Sequence, residues 1–293
     1  MSEIYIAETC GLCFGSNNAI SKTKEQLEKR NNVVLFKEIL HNNNVMKTLQ
    51  DKGAVVKDTI EEINKNDFVI IRAHGEPLST FKHFEDNEIG FLDCTCPKVK
   101  AINLIAQEKD KQGYKIIIIG KHGFDGKPMH PEVAGTAGWC NNPLFVEDES
   151  EIEKIDLSFE KYFLVVQTTF SKDKAELFIE KISNFLKANN KIFDFKNTVC
   201  NAQKEINLSA QALATKVDAM VVIGGKNSSN TKELFLKLAQ TKPTFWIENV
   251  QEAKTLVDEK KLINDMKIGI TAGASTLKED VVELKNELEK ILK

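Results

Sequence analysis

The sequence has no apolar run that approaches the roughly 20 residues needed to cross a membrane as a helix. Its opening segment, MSEIYIAETC, lacks the basic stretch and longer apolar stretch of an export signal. It has no basic surplus either, because the net charge is -3 and lysines alternate with glutamates in segments such as KTKEQLEKR. These absences argue against a membrane protein and against nucleic-acid binding. We therefore expect a cytoplasmic protein that acts on a small molecule.

The chain has 293 residues, of which 42% are apolar. It is long enough to bury a large core in two or three domains of about 100 residues each. Six cysteines occur: Cys10, Cys13, Cys94, Cys96, Cys140 and Cys200. In a long intracellular chain such cysteines favour metal binding or redox chemistry over disulfides.

Short apolar runs alternate with helical patterns such as the one over residues 172–189. The strand-like runs are 4–7, 33–36, 68–75, 90–94, 115–120, 162–169, 219–225, 244–249 and 267–275, with a further one in KIFDF. Most of them do not alternate between apolar and polar residues, which is typical of parallel strands covered on both faces. The predicted fold class is α/β.

Polar or glycine-containing groups follow several of these strands. They are AHGE around His74, QTTFS around Thr168, GGKNSSN around Ser228 and TAGAS at Ser275. Open α/β sheets bind ligands beyond the carboxyl ends of their strands, so chemistry is expected at these positions.

Helix capping is the other interpretation of the polar groups near the C-terminal half of the chain. Asn230 with Glu233, and Thr276 with Glu279, have the spacing of a capping box. Capping and ligand binding are compatible, since the free amides of a helix N-terminus form an anion site.

The cysteines of LDCTCPKV are separated by one residue, so in an extended segment Cys94 and Cys96 point to opposite faces. One of the two is expected to take part in metal binding or redox chemistry, and the other to pack in the core. Cys13, Cys96 and Cys200 lie near the starts of successive thirds of the chain, which suggests three α/β units that each present one thiol to a shared centre. A zinc site formed by Cys10, Cys13, Cys94 and Cys96 is an alternative, as is simple burial of most of these thiols. The spacing does not choose the metal.

Three histidines occupy loops or strand ends, namely His41, His74 and His130. They suggest an anion or proton site, because imidazole donates hydrogen bonds to phosphate and titrates near neutrality. His83 is interpreted as solvated surface and His122 as structural. Glu132 is either a proton carrier or a surface carboxylate.

Eight motifs occur in order over nearly the whole chain: GLCFGSNNAI, EILHNN, AHGE, DCTCPKV, HPEVAGTAG, QTTFS, GGKNSSNT and TAGAS. By these motifs the sequence resembles the 4-hydroxy-3-methylbut-2-enyl diphosphate reductases, the last enzymes of the methylerythritol phosphate route to isoprenoids. The resemblance implies reductive loss of the substrate hydroxyl, giving isopentenyl and dimethylallyl diphosphate. Electrons would come from an external carrier such as flavodoxin or ferredoxin.

The resemblance also implies three α/β domains in pseudo-threefold arrangement around a [4Fe-4S] cluster with three cysteine ligands and one open iron. The ligands would be Cys13, Cys96 and Cys200. The expected domains are residues 13–96, 97–196 and 197–293, with the N-terminal strand 1–12 joined to the third. Cys10, Cys94 and Cys140 fall outside the ligand positions.

The remaining motif residues match substrate-handling positions of the family. Those that would hold the diphosphate are His41, His74, Ser228, Ser229, Asn230 and Ser275. His130 would lie near both the diphosphate and the reacting end. Glu132 and Thr168 would handle the hydroxyl and the proton.

Three features depart from the family pattern: Gln203 in CNAQKEIN, a longer segment from His122 to His130, and GLCFGS in place of the usual first motif. Two other functions stay open on the sequence. One is an iron-sulfur dehydratase, which needs no external electrons, and the other is a zinc-stabilised binding module.

Overall fold

The computed structural model describes residues 2–40, 42–226, 228–274 and 276–292. Over these residues the chain forms twelve strands and ten α-helices. The strands are β1 (Glu3–Ile6), β2 (Val33–Phe36), β3 (Val55–Lys57), β4 (Phe68–Ile71), β5 (Gly90–Asp93), β6 (Lys115–Ile119), β7 (Leu144–Val146), β8 (Lys161–Val166), β9 (Ile192–Lys196), β10 (Ala219–Ile223), β11 (Thr244–Ile247) and β12 (Lys267–Ala272). The helices are α1 (Phe14–Lys29), α2 (Asn43–Asp51), α3 (Leu78–Asp86), α4 (Pro97–Lys111), α5 (Pro131–Ala137), α6 (Lys172–Ala188), α7 (Ala202–Ala214), α8 (Ser229–Ala239), α9 (Glu252–Asp258) and α10 (Lys278–Ile291).

The α/β class is confirmed, and the strand pairs of the described residues are all parallel. Several strands end earlier than predicted. The run 68–75 leaves the sheet after Ile71, because the chain turns at Gly75, which has φ +74° and donates its N–H to the Arg72 carbonyl at 3.0 Å. A Cβ at Gly75 would also lie 3.1 Å from Thr95 Cγ2, so this turn requires glycine.

The chain groups into two compact units. The first comprises Met1–Lys29, Glu38–Ala54 and Asn201–Lys293, and the second comprises Arg30–Lys37 and Val55–Cys200. The first unit contains a sheet of order β1-β12-β10-β11, and the second contains two sheets of order β3-β2-β4-β5 and β7-β6-β8-β9. The predicted domain boundaries, and the predicted pseudo-threefold arrangement, stay predictions.

The sheet of the first unit is covered on both faces. Val221 and its neighbours pack with Leu256 of α9 and Leu284 of α10. Met220 packs on the opposite face with Leu234 of α8. Burial of each such side chain stabilises the fold by about 1.5–3 kcal/mol, which explains the continuous apolar run of β10.

The sheet β7-β6-β8-β9 has the same construction. Ile117 and Leu164 pack with α6, whereas Ile116 and Val165 pack with α4 and with Val133 of α5. Helix α6 buries Ala175, Phe178, Ile179, Ile182 and Leu186, the spacing that a helix with one covered face requires. It ends where Asn190 takes φ +57° and Lys191 N–H bonds to the Leu186 carbonyl at 2.9 Å.

The three sheets share one strand order. In the second unit the first strand of each sheet lies between the second and the third, as β2 lies between β3 and β4. In the first unit β10 lies between β11 and β12, and β1 occupies the place of the fourth strand. Each sheet therefore has a switch point, between β2 and β4, between β6 and β8 and between β10 and β12, where ligands bind in open α/β sheets. No helix in the described part of the chain is long and apolar enough to span a bilayer.

Candidate active site

A buried carboxyl and a threonine meet at the switch point between β6 and β8. Glu132 is only 2% exposed and Thr168 is 6% exposed. Glu132 Oε1 accepts the Thr168 N–H at 2.5 Å, and Oε2 accepts the Thr168 hydroxyl at 2.7 Å. The interpretation of Glu132 as a surface carboxylate is therefore wrong.

Burial raises the pKa of Glu132 to about 7, although the two hydrogen bonds from Thr168 act in the opposite direction. A carboxyl group with this pKa is partly protonated at neutral pH, so it can supply a proton. A threonine hydroxyl both donates and accepts hydrogen bonds, so Thr168 can pass that proton on.

Two of the predicted histidines lie side by side. The rings of His74 and His130 are 5.5 Å apart between centroids and nearly perpendicular. His130 is the N-cap of α5, and its Nδ1 accepts the Glu132 N–H at 3.2 Å. The neutral His130 ring therefore carries its proton on Nε2, which is a hydrogen-bond donor.

A buried ion network braces the turn that carries His74. Glu76 is 2% exposed, and its carboxylate accepts from Arg72 Nε and from Lys37 Nζ, both at 2.9 Å. The Trp139 indole N–H donates to the Glu76 carbonyl at 3.1 Å. Sequence reasoning missed this network, although an arginine and a glutamate four residues apart around His74 were a visible signal.

Cys94 and Cys96 have different environments, as the one-residue spacing predicted. Cys94 is 1% exposed, whereas Cys96 is half-buried and is the N-cap of α4. The Cys96 N–H donates to the Ala73 carbonyl at 2.9 Å, which ties this helix start to the turn of His74.

Cys200 lies beside the Glu132 and Thr168 pair. Its N–H donates to the Thr168 carbonyl at 2.7 Å. Lys98 Nζ donates to Cys200 Sγ at 3.1 Å. The second unit thus links a buried acid, a hydroxyl and a predicted ligand cysteine through consecutive contacts.

The three predicted ligand cysteines share a local setting. Cys13 directly precedes α1, Cys96 caps α4, and Cys200 precedes Asn201, the N-cap of α7. All three are half-buried. The three thiols therefore share two features, a position at or next to a helix start and partial exposure.

The other cysteines are poorer ligands. Cys10 is buried among apolar side chains, and its burial raises the pKa of the thiol. Burial also raises the pKa of Cys140 to about 12, and its Sγ donates to the Thr136 carbonyl at 3.5 Å. With Cys94 buried as well, this chemistry favours packing over the alternative zinc set. Cys13, Cys96 and Cys200, by contrast, are partly exposed thiols at or next to helix starts, and thiol donors are the ligands that iron-sulfur clusters take.

Within the described residues, no three His, Cys, Asp or Glu side chains are gathered as for a single metal ion. A [4Fe-4S] cluster takes one thiolate per iron, so its ligands need not converge on one point.

The first unit presents Ser228 and Asn230 after β10. Ser228 is the N-cap of α8, and its Oγ accepts the Thr231 N–H at 3.3 Å. Asn230 is therefore inside the helix, and its prediction as a capping residue is wrong. Thr276 is not a cap either, because its hydroxyl donates to the Ile223 carbonyl at 3.2 Å and α10 begins at Lys278. His41, Ser275 and the side chain of Ser229 lie outside the described residues.

The segment from His122 to His130 is anchored at its base. His122 Nε2 lies 2.8 Å from Glu151 Oε1, which supports its structural interpretation. Glu147 accepts the N–H groups of Gly123 and Phe124 at 3.1 and 3.0 Å. Gln203, the other departure, donates to Asn207 Oδ1 at 3.0 Å within α7.

Comparisons with known proteins agree with these observations. The sequence matches the LytB protein family over residues 4–289. It is 39% identical to a 4-hydroxy-3-methylbut-2-enyl diphosphate reductase of Caldanaerobacter subterraneus subsp. tengcongensis, with 96% of each chain covered. It is 36% identical to the reductase of the same name from Clostridioides difficile, covering 93% of this chain and 94% of that protein.

Solved structures give the same result. A structure of (E)-4-hydroxy-3-methyl-but-2-enyl diphosphate reductase, described as the terminal enzyme of the non-mevalonate pathway, matches with a TM-score of 0.80 and 30% identity, covering 99% of this chain and 100% of that one. The Plasmodium falciparum reductase matches with a TM-score of 0.76 and 26% identity, covering 98% and 88%. The resemblance carried by the ordered motifs is confirmed, and the chain belongs to the LytB protein family.

Proposed function

We propose that this protein is a 4-hydroxy-3-methylbut-2-enyl diphosphate reductase. Its family membership and its relatives of that name support the activity. The reaction consumes two electrons and two protons, breaks the C–O bond of the allylic hydroxyl, releases water and forms one C–H bond. Forming that bond at one or the other end of the allyl unit gives isopentenyl or dimethylallyl diphosphate.

In this proposal Cys13, Cys96 and Cys200 hold a [4Fe-4S] cluster. When bound, the cluster supplies electrons one at a time and a Lewis-acidic iron. The electrons enter from flavodoxin or ferredoxin, or from a carrier of that kind. The support is the position of each cysteine at a helix start and the burial of Cys10 and Cys94.

Glu132 and Thr168 supply a proton to the departing hydroxyl. The burial of the acid, its pKa of about 7 and the two hydrogen bonds that it accepts from Thr168 support this role. In the structure the Thr168 hydroxyl donates to Glu132 Oε2, so the relay begins when Glu132 is protonated and this hydrogen bond reverses. The Thr168 hydroxyl then accepts the proton of Glu132 while it donates its own to the substrate oxygen, and no charged intermediate group is needed. His130, with its proton on Nε2, adds a donor near the same end.

The diphosphate is held by hydroxyls, amides and imidazoles. The residues assigned to it are His41, His74, His130, Ser228, Ser229, Asn230 and Ser275. Many hydrogen bonds from such groups neutralise a diphosphate without a lysine cluster. The helix start at Ser228 supports this assignment, because its backbone amides attract anions. The cytoplasmic location expected from the sequence belongs to the same proposal.

The observation that carries the proposal is the contact chain from Glu132 through Thr168 to Cys200. The test is anaerobic purification, with iron and sulfide counts, a visible spectrum and turnover of the diphosphate substrate with and without a chemical reductant. We expect about four iron and four sulfide per chain and turnover only with the reductant. Turnover without reductant would indicate a dehydratase, and a colourless protein with stoichiometric zinc would refute the proposal.

A further inference from the structure

Lys98 connects two of the proposed cluster ligands. It is the second residue of α4, whose N-cap is Cys96. Its ammonium donates to Cys200 Sγ at 3.1 Å, across 102 residues of sequence. The start of α4 therefore carries the proposed ligand Cys96 and also a lysine whose ammonium contacts the sulfur of a second proposed ligand, Cys200.

Helix stability does not explain a lysine at this position. A cation in the first turn of a helix is opposed by the helix dipole, and the first turn of α4 has no acidic residue to offset it. The Lys98 side chain is also exposed, so it is not needed for core packing. A favourable interaction that the structure gives Lys98 is its hydrogen bond to Cys200 Sγ.

Cys200 is held in place without Lys98. Its N–H bonds to the Thr168 carbonyl, and nearby Thr198 Oγ1 accepts the Val166 N–H at 2.9 Å and donates to the Val166 carbonyl. These bonds fix the segment against the end of β8. Removing the ammonium therefore changes the charge at the sulfur more than the position of the thiol.

A hydrogen bond and a positive charge at a ligand sulfur stabilise the state that carries more negative charge. In an iron-sulfur cluster that state is the reduced one, and reduction potentials depend on hydrogen bonds to the sulfurs and on local charge. An ammonium group can only donate hydrogen bonds, so its contact with the sulfur can only favour the more negatively charged state.

We propose, resting on the proposed function, that Lys98 acts through Cys200 to raise the reduction potential of the cluster and so eases the entry of each electron.

The test is an anaerobic redox titration of the reconstituted protein, followed by electron paramagnetic resonance. Lys98→Gln removes the positive charge, and Lys98→Arg keeps it. Lys111→Gln is the matched control, because it removes one lysine of the same helix about 20 Å away. We expect Lys98→Gln to disfavour the one-electron reduction about tenfold, a shift of about 59 mV to lower potential. The arginine and Lys111 variants should stay near wild type.

An unchanged potential in Lys98→Gln, or an equal shift in Lys111→Gln, would overturn the proposal. So would an unchanged potential with a raised KM for the electron carrier, which would make Lys98 a docking contact. If the glutamine variant loads less cluster, Lys98→Met provides the second uncharged variant for the same titration. Absence of a cluster from the wild-type protein would refute the proposed function itself, and the iron count shows this before any variant is made.

Discussion

Glu132→Gln separates proton supply from the other roles of the site. Glutamine keeps the size of the side chain, and its amide can bond to the Thr168 N–H and hydroxyl in place of the carboxylate. It has no proton to give at neutral pH. We expect the cluster to assemble and the substrate to bind, while turnover falls by roughly 100-fold, the typical effect of losing a positioned acid.

The same substitution has a stability consequence whose sign follows from the pKa. The pKa of Glu132 is raised from 4.5 to about 7 by burial, so the folded protein holds this proton more tightly than the unfolded chain does. The unfolding free energy of the wild type therefore decreases as pH rises from 4.5 to about 7, by about 3 kcal/mol at about 1.4 kcal/mol per pH unit. Glutamine does not ionise, so its burial has no such pH-dependent cost. The unfolding free energy of Glu132→Gln should therefore rise relative to that of wild type at pH 8 and very little at pH 4.5.

Three measurements check this reasoning. They are steady-state turnover with excess chemical reductant, substrate binding followed by cluster spectroscopy, and anaerobic urea unfolding at pH 5 and pH 8. Wild-type turnover should fall above about pH 7, where Glu132 is ionised, and the variant's residual turnover should not. Glu147→Gln is the control, since that carboxylate accepts two backbone N–H groups away from Thr168. A Glu132→Gln protein that binds substrate and turns over within a few-fold of wild type would show that the proton comes from elsewhere.

Three further substitutions, two of them paired with a control variant, test the other parts of the site. Cys96→Ser should lose most of its iron after anaerobic reconstitution, whereas the buried Cys94→Ser should keep it; the reverse result would exchange their roles. Thr168→Val should lower kcat by about 10²-fold, while Thr136→Val, which loses only a buried bond to an asparagine, should alter stability and leave kcat unchanged. Asn230→Leu should raise KM for the diphosphate more than it changes iron content, and an unchanged KM in a folded variant would leave Asn230 with no ligand role.

The fold class was predictable because its signal is local. A strand covered on both faces needs apolar side chains at every position, and β10 reads AMVVI with all five residues buried. The three-residue strands β3 and β7 were not predicted. Both lie at sheet edges. Each becomes a strand by pairing with a single neighbour, and three residues are too few to show a strand pattern in the sequence.

The capping residues show how far a local pattern extends. Asn230 and Thr276 have suitable neighbours in sequence, but the α8 cap is Ser228, and the Thr276 hydroxyl bonds to a strand carbonyl 53 residues away. A capping box is defined by residues close in sequence. The partner of the Thr276 hydroxyl is instead the Ile223 carbonyl, which lies nearby because the ends of β10 and β12 pack together.

The sequence by itself determined the α/β class, the parallel strands and the residue types that gather at their ends. Only the tertiary structure decided which of those groups touch. Glu132 meets Thr168 across 36 residues, and Lys98 meets Cys200 across 102. Such contacts depend on strand order and helix packing, and so do the burial and raised pKa of Glu132. Periodicity carries information about one element at a time, and these properties arise only when elements distant in sequence pack together.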